Sequence, residues 1–297
     1  MTLESGATLI AKSSDAVRDI DVERVAETIA GLCLTTCCDA PEDVTEALRS
    51  ARETELSGVG REILDQLLEN AAIAAERRVP LCQDTGFAVV FADVGQDVHF
   101  VGGDFIAAVN EGVRRGYRDG FLRKSIVAEP AHARRNTGDN TPAIVHTRLV
   151  PGRGVRLTLM AKGGGAENMS ALAMLKPSDG WAGVAQTVVE TVSRAGSNPC
   201  PPTIVGVGIG GTIEMVTLLA KRALLREIGS RHRDPRLAEL EDELLVAVNA
   251  LGIGPQGLGG STTSLAVFIE EMPCHIASMP VAVNVQCHAQ RHRTAVL

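Results

Sequence analysis

Apolar positions take on a helical period from Val22 onward. Val22, Val25, Ala26, Ile29, Leu32 and Cys33 fall on one face, and Asp21 just ahead of them is a good N-cap. Pro41 is placed to open a second helix. Ser57 to Arg78 carries a third, with Ile63, Leu64, Leu67 and Leu68 inward and Pro80 as its stop. The first twenty residues lack such a pattern and read as a loose arm. Beyond Pro80 the period changes. Phe87 to Val94 is a β-branched, apolar strand candidate, and a helix near Asp104 to Arg118 follows. Ala143 to Val150 and Val155 to Ala161 are further strand candidates, joined by the turn Pro151-Gly152-Arg153-Gly154.

The second half alternates. Helices are expected at Trp181 to Arg194, Thr212 to Ile228 and Pro235 to Leu251, and strands at Thr203 to Val207, Ser264 to Glu270 and Ala277 to Val285. The pattern predicts an α/β fold with α+β character, in which a mainly helical section, residues 1–80, precedes mixed sheets covered by helices, residues 81–297. No internal repeat or low-complexity linker interrupts it, and the 297 residues are expected to form a single domain.

Composition narrows the function. Acidic residues exceed basic ones to give a net charge of −7, which argues against a phosphate-binding basic face. With one Trp and one Tyr there is no base-stacking platform either, so no nucleic-acid partner is expected. No apolar run approaches the roughly 18 residues that a membrane span needs, and Met1 to Asp21 does not read as a signal peptide. A cytoplasmic enzyme is the expectation. Seven cysteines without a secretory signal then point to metal or catalysis for any that is not simply core.

The clustered glycines offer decoys. Gly206-Val207-Gly208-Ile209-Gly210-Gly211 fits a dinucleotide fingerprint, but the acid expected about 20 residues on would fall in a polar helix end. Tight strand-to-helix packing is the better explanation. Gly254 to Ser261 is rich in glycine like a phosphate loop but lacks its Lys. Lys162-Gly163-Gly164-Gly165 differs, because three glycines directly after a strand expose consecutive amides that can hold an anion.

Six of the seven cysteines divide into two sets. Cys33, Cys37 and Cys38 lie on or just beyond an amphipathic helix and read as small core residues. Cys82, Cys200 and Cys287 lie in loops at the ends of elements, where a scaffold positions functional side chains. Three thiolates can hold three irons of a [4Fe–4S] cluster and leave the fourth open, the mark of a Lewis-acid site.

Eight stretches, in order, then become recognisable: Cys82 to Gly86, Arg123-Lys124-Ser125, Asn136 to Pro142, Lys162 to Ser170, Asn198-Pro199-Cys200-Pro201-Pro202, Gly208 to Thr212, Gly252 to Gly257, and Asn284 to Ala289. On these the chain resembles the alpha subunits of class I, iron–sulfur-dependent fumarate hydratases, within the larger family that includes L-tartrate dehydratase. The resemblance implies Cys82, Cys200 and Cys287 as ligands of a [4Fe–4S] cluster, and Gln83, Arg123 and the amide of Gly165 as contacts to a dicarboxylate substrate. It implies Asp84 as part of the proton-transfer apparatus and His275, twelve residues before the last ligand, as its partner across a subunit interface. His288, beside Cys287, is left structural. Ten residues follow Cys287, where single-chain members continue into a second domain. The resemblance therefore implies a separate beta subunit supplying that domain and the base, in a dimer of alpha–beta pairs.

The chemistry suits these residue types. An open iron eases the departure of hydroxide, an Asp–His pair can move the accompanying proton, and Arg binds a carboxylate through two parallel hydrogen bonds. Fumarate hydration is the leading expectation, because tartrate dehydratases typically depart from Gly-Gly-Gly-Ala-Glu-Asn-Met-Ser. L-tartrate and mesaconate are the alternatives within the family, since one methyl group changes affinity by only about 1–3 kcal/mol. A non-catalytic iron–sulfur sensor or scaffold is the alternative outside it, and Asp84, Arg123 and His275 argue against that.

Overall fold

The computed structural model describes residues 17–297. Two four-stranded mixed sheets form its centre, with helices on their faces. The first half runs β1 (Arg18–Asp21), α1 (Val22–Cys38), α2 (Glu42–Thr54), α3 (Gly58–Arg77), β2 (Phe87–Gly95), β3 (Val98–Val101), α4 (Phe105–Asp119), β4 (Ile144–Val150) and β5 (Val155–Lys162). The second half runs α5 (Gly164–Glu167), β6 (Ala171–Leu175), α6 (Gly180–Ala195), β7 (Thr203–Gly210), α7 (Ile213–Ala223), α8 (Pro235–Asn249), β8 (Ser264–Met272), β9 (Met279–Gln286) and β10 (His292–Val296). No helix among the described residues is long and apolar enough to cross a membrane.

The helix starts follow the sequence. The Asp21 side chain accepts from the Glu23 amide, Ser57 from Gly60, and Asp104 from Ala107, each satisfying a donor the first turn leaves free. The first sheet has the order β10-β5-β2-β4. β2 lies between β4 and β5, so the two strands joined by the Pro151 turn do not pair with each other. Alternation along β2 divides its side chains. Ala88, Val90, Ala92 and Val94 pack with Val25, Ile29 and Cys33 of α1 and Val109 and Val113 of α4. Val89 and Phe91 turn the other way, onto Ile204, Leu224 and Phe268. Burial on both faces explains why β2 reads as an unbroken apolar run from Phe87 to Ala92.

The second sheet has the order β6-β9-β7-β8. α6 and α8 cover one face through Val184, Val188, Leu237 and Leu244. α7 covers the other, and here the glycine cluster finds its role. A Cβ on Gly206 would lie 2.1 Å from Ala220 O, and one on Gly208 would lie 2.2 Å from Val216 O. The glycines let α7 rest on the strand backbone, as the packing explanation requires.

Three expectations need correction. Within the expected N-terminal arm, Arg18–Asp21 is a strand, parallel to β3; residues 1–16 of that arm lie outside the described residues. The helix expected to reach Ile228 ends at Ala223. Beyond it Leu224 joins the layer between the sheets and the Ile228 amide bonds to Asp43 Oδ2, so tertiary contacts, not a helical period, place those apolar residues. Strands β3, β6 and β10 lie outside the expected elements; each is only four or five residues long, and they pair with β1, β9 and β5 respectively.

Candidate active site

The three loop cysteines gather where two antiparallel pairs end. β2 runs against β5 with Phe87 opposite Lys162, so the start of one meets the end of the other. The loop before β2 carries Cys82, Gln83 and Asp84, and the turn after β5 carries Gly163, Gly164 and Gly165. In the second sheet β7 runs against β9 with Ile204 opposite Gln286. Cys200 precedes β7 and Cys287 follows β9. Each sheet thus delivers one strand start and one strand end. The sheets are tied there by Lys162, wholly buried, whose Nζ donates to Val285 O at 2.9 Å. The chain itself also crosses, because β10 leaves the Cys287 loop to pair with β5.

Local contacts fix each loop. Asp84 Oδ1 accepts from the Gly86 amide at 2.9 Å and Oδ2 from the Gly164 amide at 2.8 Å. A Cβ on Gly165 would stand 3.2 Å from Asn198 O, which places the glycine turn against the Cys200 loop. Cys200 itself has φ +55°, a left-handed conformation costly for a residue with a side chain. Its amide donates to Ser197 O at 3.0 Å, and its carbonyl accepts from the His288 ring at 3.0 Å. His288 is therefore a brace for the cysteine loop, in line with its structural assignment. Gln256 adds to the brace by donating to Pro201 O from both its amide, at 2.7 Å, and its side chain, at 2.8 Å.

The thiols stand in two environments. Burial pushes Cys33 far above the ordinary thiol value and Cys37 up to about 11, as suits inert core residues. Cys200 and Cys287 are also raised by burial, and each feels the charge of Cys82; Arg291 pulls Cys287 back down. Cys82, Cys200 and Cys287 are thus mutual neighbours, all three are free thiols, and Cys82 and Cys200 reach solvent. Among the described residues no three His, Cys, Asp or Glu side chains close around a single metal ion. A cube-shaped cluster takes each thiolate at a different iron, so its ligands stand farther apart than those of one ion. The donor set fits such a group: three free thiols on three loops, with buried polar groups of Gln286 and Arg291 that have no partner beside the third.

The remaining expected residues divide. Gln83 and Gly165 are exposed at the site, and the Cys82 thiol lies 3.4 Å from Gln83 Oε1. Arg123 is exposed on a loop tied to it, since the Thr85 hydroxyl donates to Arg123 O at 3.1 Å. His275 is not brought there. It sits on an exposed turn ahead of β9, its ring accepting from the Ala277 amide at 3.1 Å. Cys287 lies at the far end of that strand of 8 residues, so a rise near 3.3 Å per residue separates the two by roughly 25 Å. Within one chain Asp84 and His275 cannot form a pair.

Sequence reasoning missed Arg291 and the Lys162–Glu167–Lys221 group. The two lysines hold Glu167 at about 2 against the opposing effect of burial, and burial brings Lys162 down to about 8. Both sets stood in view as ordinary charged letters, and burial is what sets them apart.

Residues 26–296 match the family model described as fumarate hydratase (Fumerase). The chain belongs to the fumarate hydratase family. A putative L(+)-tartrate dehydratase subunit alpha of Methanocaldococcus jannaschii is 43% identical over 272 residues, covering 90% of this chain and 95% of that one. The L(+)-tartrate dehydratase subunit alpha of Escherichia coli (strain K12) is 32% identical over 286 residues, covering 96% and 94%. Membership makes the chain a hydro-lyase, and the matched span contains every candidate residue discussed above.

Proposed function

We propose that this chain is the alpha subunit of an iron–sulfur hydro-lyase that interconverts fumarate and L-malate together with a beta subunit. The observation that carries the reading is the meeting of Cys82, Cys200 and Cys287, from the ends of strands in two sheets, beside Asp84 and the Gly163–Gly165 turn. When bound by those thiolates, a [4Fe–4S] cluster supplies an open iron as Lewis acid for a leaving hydroxide. Arg123, exposed, takes one substrate carboxylate through its two-pronged guanidinium. The Gly165 amide and the Gln83 side chain donate to the remaining substrate oxygens. Asp84, fixed by two amides, keeps a free lone pair on each oxygen and carries the proton that leaves with the hydroxyl as water. His275 serves Asp84 from a second alpha chain, because its own chain holds it a strand length away. The opposite proton goes to a base on the beta subunit; the relatives' names as subunits alpha support that division.

A second reading has its own support. Both relatives above are named for L(+)-tartrate. Against it, this chain keeps Gly163-Gly164-Gly165-Ala166-Glu167-Asn168-Met169-Ser170, the form expected of fumarate hydratases. Purified anaerobically with its beta subunit, the complex should hold about four irons per alpha chain and hydrate fumarate, while the alpha chain alone should not turn over. Cys82→Ser, Cys200→Ser and Cys287→Ser should each lose most of the iron, and Cys33→Ser should keep it. Equal loss from Cys33→Ser would show the ligands to be wrongly chosen. Preference for tartrate by kcat/KM would establish the second reading.

A further inference from the structure

Arg291 is the largest fully buried side chain among the described residues, with 1% of its surface exposed. Only one of its nitrogens is used: Nη2 donates to Asp84 O at 3.0 Å and lies 4.0 Å from the Cβ position of Gly163. Nε and Nη1 are buried without a partner. Among the described residues no carboxylate forms an ion pair with the group, although the Asp84 carboxylate stands nearby, its Oδ2 3.4 Å from the same Cβ position of Gly163. A buried guanidinium with two idle donors and no counter-ion is costly, and native proteins rarely tolerate one. The groups around it are the thiols of Cys287, Cys37 and Cys82 and the Tyr117 hydroxyl. Two of these three thiols belong to the proposed cluster set.

We propose that Arg291 is the resident counter-charge of the cluster, a positioning residue whose idle Nε–H and Nη1–H groups face sulfur that carries the negative charge of the bound group. The inference rests on the cluster reading above and goes beyond it, since Arg291 is neither ligand nor substrate contact. The net charge gives the reason. Three thiolates on a dicationic [4Fe–4S] core leave one negative charge, which a single fixed cation neutralises. The same guanidinium holds the Asp84 backbone, so it couples the position of the proton carrier to the cluster ligands.

The test uses the anaerobic alpha–beta complex, with iron counted first. Without about four irons in the unaltered protein the cluster reading itself fails, and Arg291 is then not at issue. With iron present, Arg291→Gln removes the charge at similar size. Reduction adds an electron to the cluster, so loss of the cation should disfavour it. The expected result is at least a tenfold fall in the reduced-to-oxidised ratio at fixed potential, about 59 mV for a one-electron couple, read by electron paramagnetic resonance. Arg291→Lys, which keeps the charge, should recover most of that shift. An unchanged potential in iron-replete Arg291→Gln overturns the proposal. So does an equal shift in both variants, which would make Arg291 a packing residue. If Arg291→Gln does not fold, the unaltered complex carries the test. With 15N in the arginine side chains, the reduced cluster should show a nitrogen hyperfine coupling that survives Arg123→Lys. Absence of that coupling overturns the proposal.

Discussion

Two carboxylates in this protein are captured by glycine-rich turns, and they meet different fates. Glu55, between α2 and α3, is wholly buried. Its Oε1 accepts from the amides of Ser57 at 2.9 Å and Ser261 at 2.8 Å and from the Ser261 hydroxyl at 3.1 Å, and its Oε2 from the Thr262 amide at 2.8 Å. The Gly254–Ser261 stretch that resembles a phosphate loop is thus an anion site filled by the chain's own side chain. Asp84 meets the Gly164 turn in the same manner but with one amide on each oxygen, and it remains partly open to solvent. One carboxylate is saturated and closes the structure. The other is aimed and left with capacity to exchange a proton. On the proposed reading, what separates a structural anion nest from a functional one here is the unfilled share of its hydrogen bonds.

The largest expected effect breaks the pair at the open member. Asp84→Asn keeps the size and loses the proton. If Asp84 carries general acid–base catalysis, kcat should fall about 10²–10⁴-fold, while stability drops by only about 1 kcal/mol for one weakened, solvent-accessible hydrogen bond. His275→Gln should act on the same step, and the double variant should be scarcely worse than either single, as members of one catalytic unit are not additive. Steady-state malate dehydration by the anaerobic complex measures both. Near-normal turnover in Asp84→Asn would erase the distinction between the two turns.

Glu55→Gln should do the reverse. The amides and the hydroxyl that bond Glu55 more than offset its burial and hold its carboxyl at about 2 instead of 4.5. A shift of that size corresponds to about 3 kcal/mol of stability at neutral pH. The sign follows from the depressed value: the contribution is complete above pH 4.5 and is lost as pH falls towards 2. Urea unfolding of Glu55→Gln should therefore differ from the unaltered protein by about 3 kcal/mol at pH 7, with the gap narrowing below pH 4.5. Turnover per folded molecule should be unchanged. A gap that stayed constant down to pH 3 would detach Glu55 from the stability of the turn.

How far the sequence foretold these arrangements depends on where their cause lies. β2, β7, α1 and α4 carry their signals locally, as apolar runs, amphipathic faces and Asp caps, and they stand where expected. The strand Arg18–Asp21 is three-quarters polar and exists through its ladder with β3, which no local pattern announces. The thiol triad was legible in outline, because loop placement and ordered motifs both single out Cys82, Cys200 and Cys287. Arg291 was not, for a charge followed by His292 and Arg293 looks like surface until the fold buries it. Glu55 and Ser261 are 206 residues apart, and only the fold shows that one fills the other's turn.

The smallest expected effect compares the turns by a single methyl group. At Gly260 the backbone has φ +140°, and an added Cβ would lie 2.7 Å from Glu55 Oε1. Both the conformation and the contact forbid it, so Gly260→Ala should cost about 1–3 kcal/mol through overpacking and strain. At Gly164, the first residue of α5, φ is not in the left-handed region, and a Cβ would meet Asp84 Oδ2 at an ordinary 3.7 Å. Alanine is compatible there and restricts the unfolded chain, so Gly164→Ala should leave stability unchanged or raise it by up to about 1 kcal/mol. At Gly260 the turn around Glu55 is closed onto its anion, with no room for a side chain. The turn around Asp84 has that room at Gly164, as the proposed admission of a substrate beside its carboxylate requires. Urea unfolding of the two variants decides the matter: an equal loss in both would mean that the Asp84 turn is packed as tightly as the Glu55 turn, and that the openness assigned to it is absent.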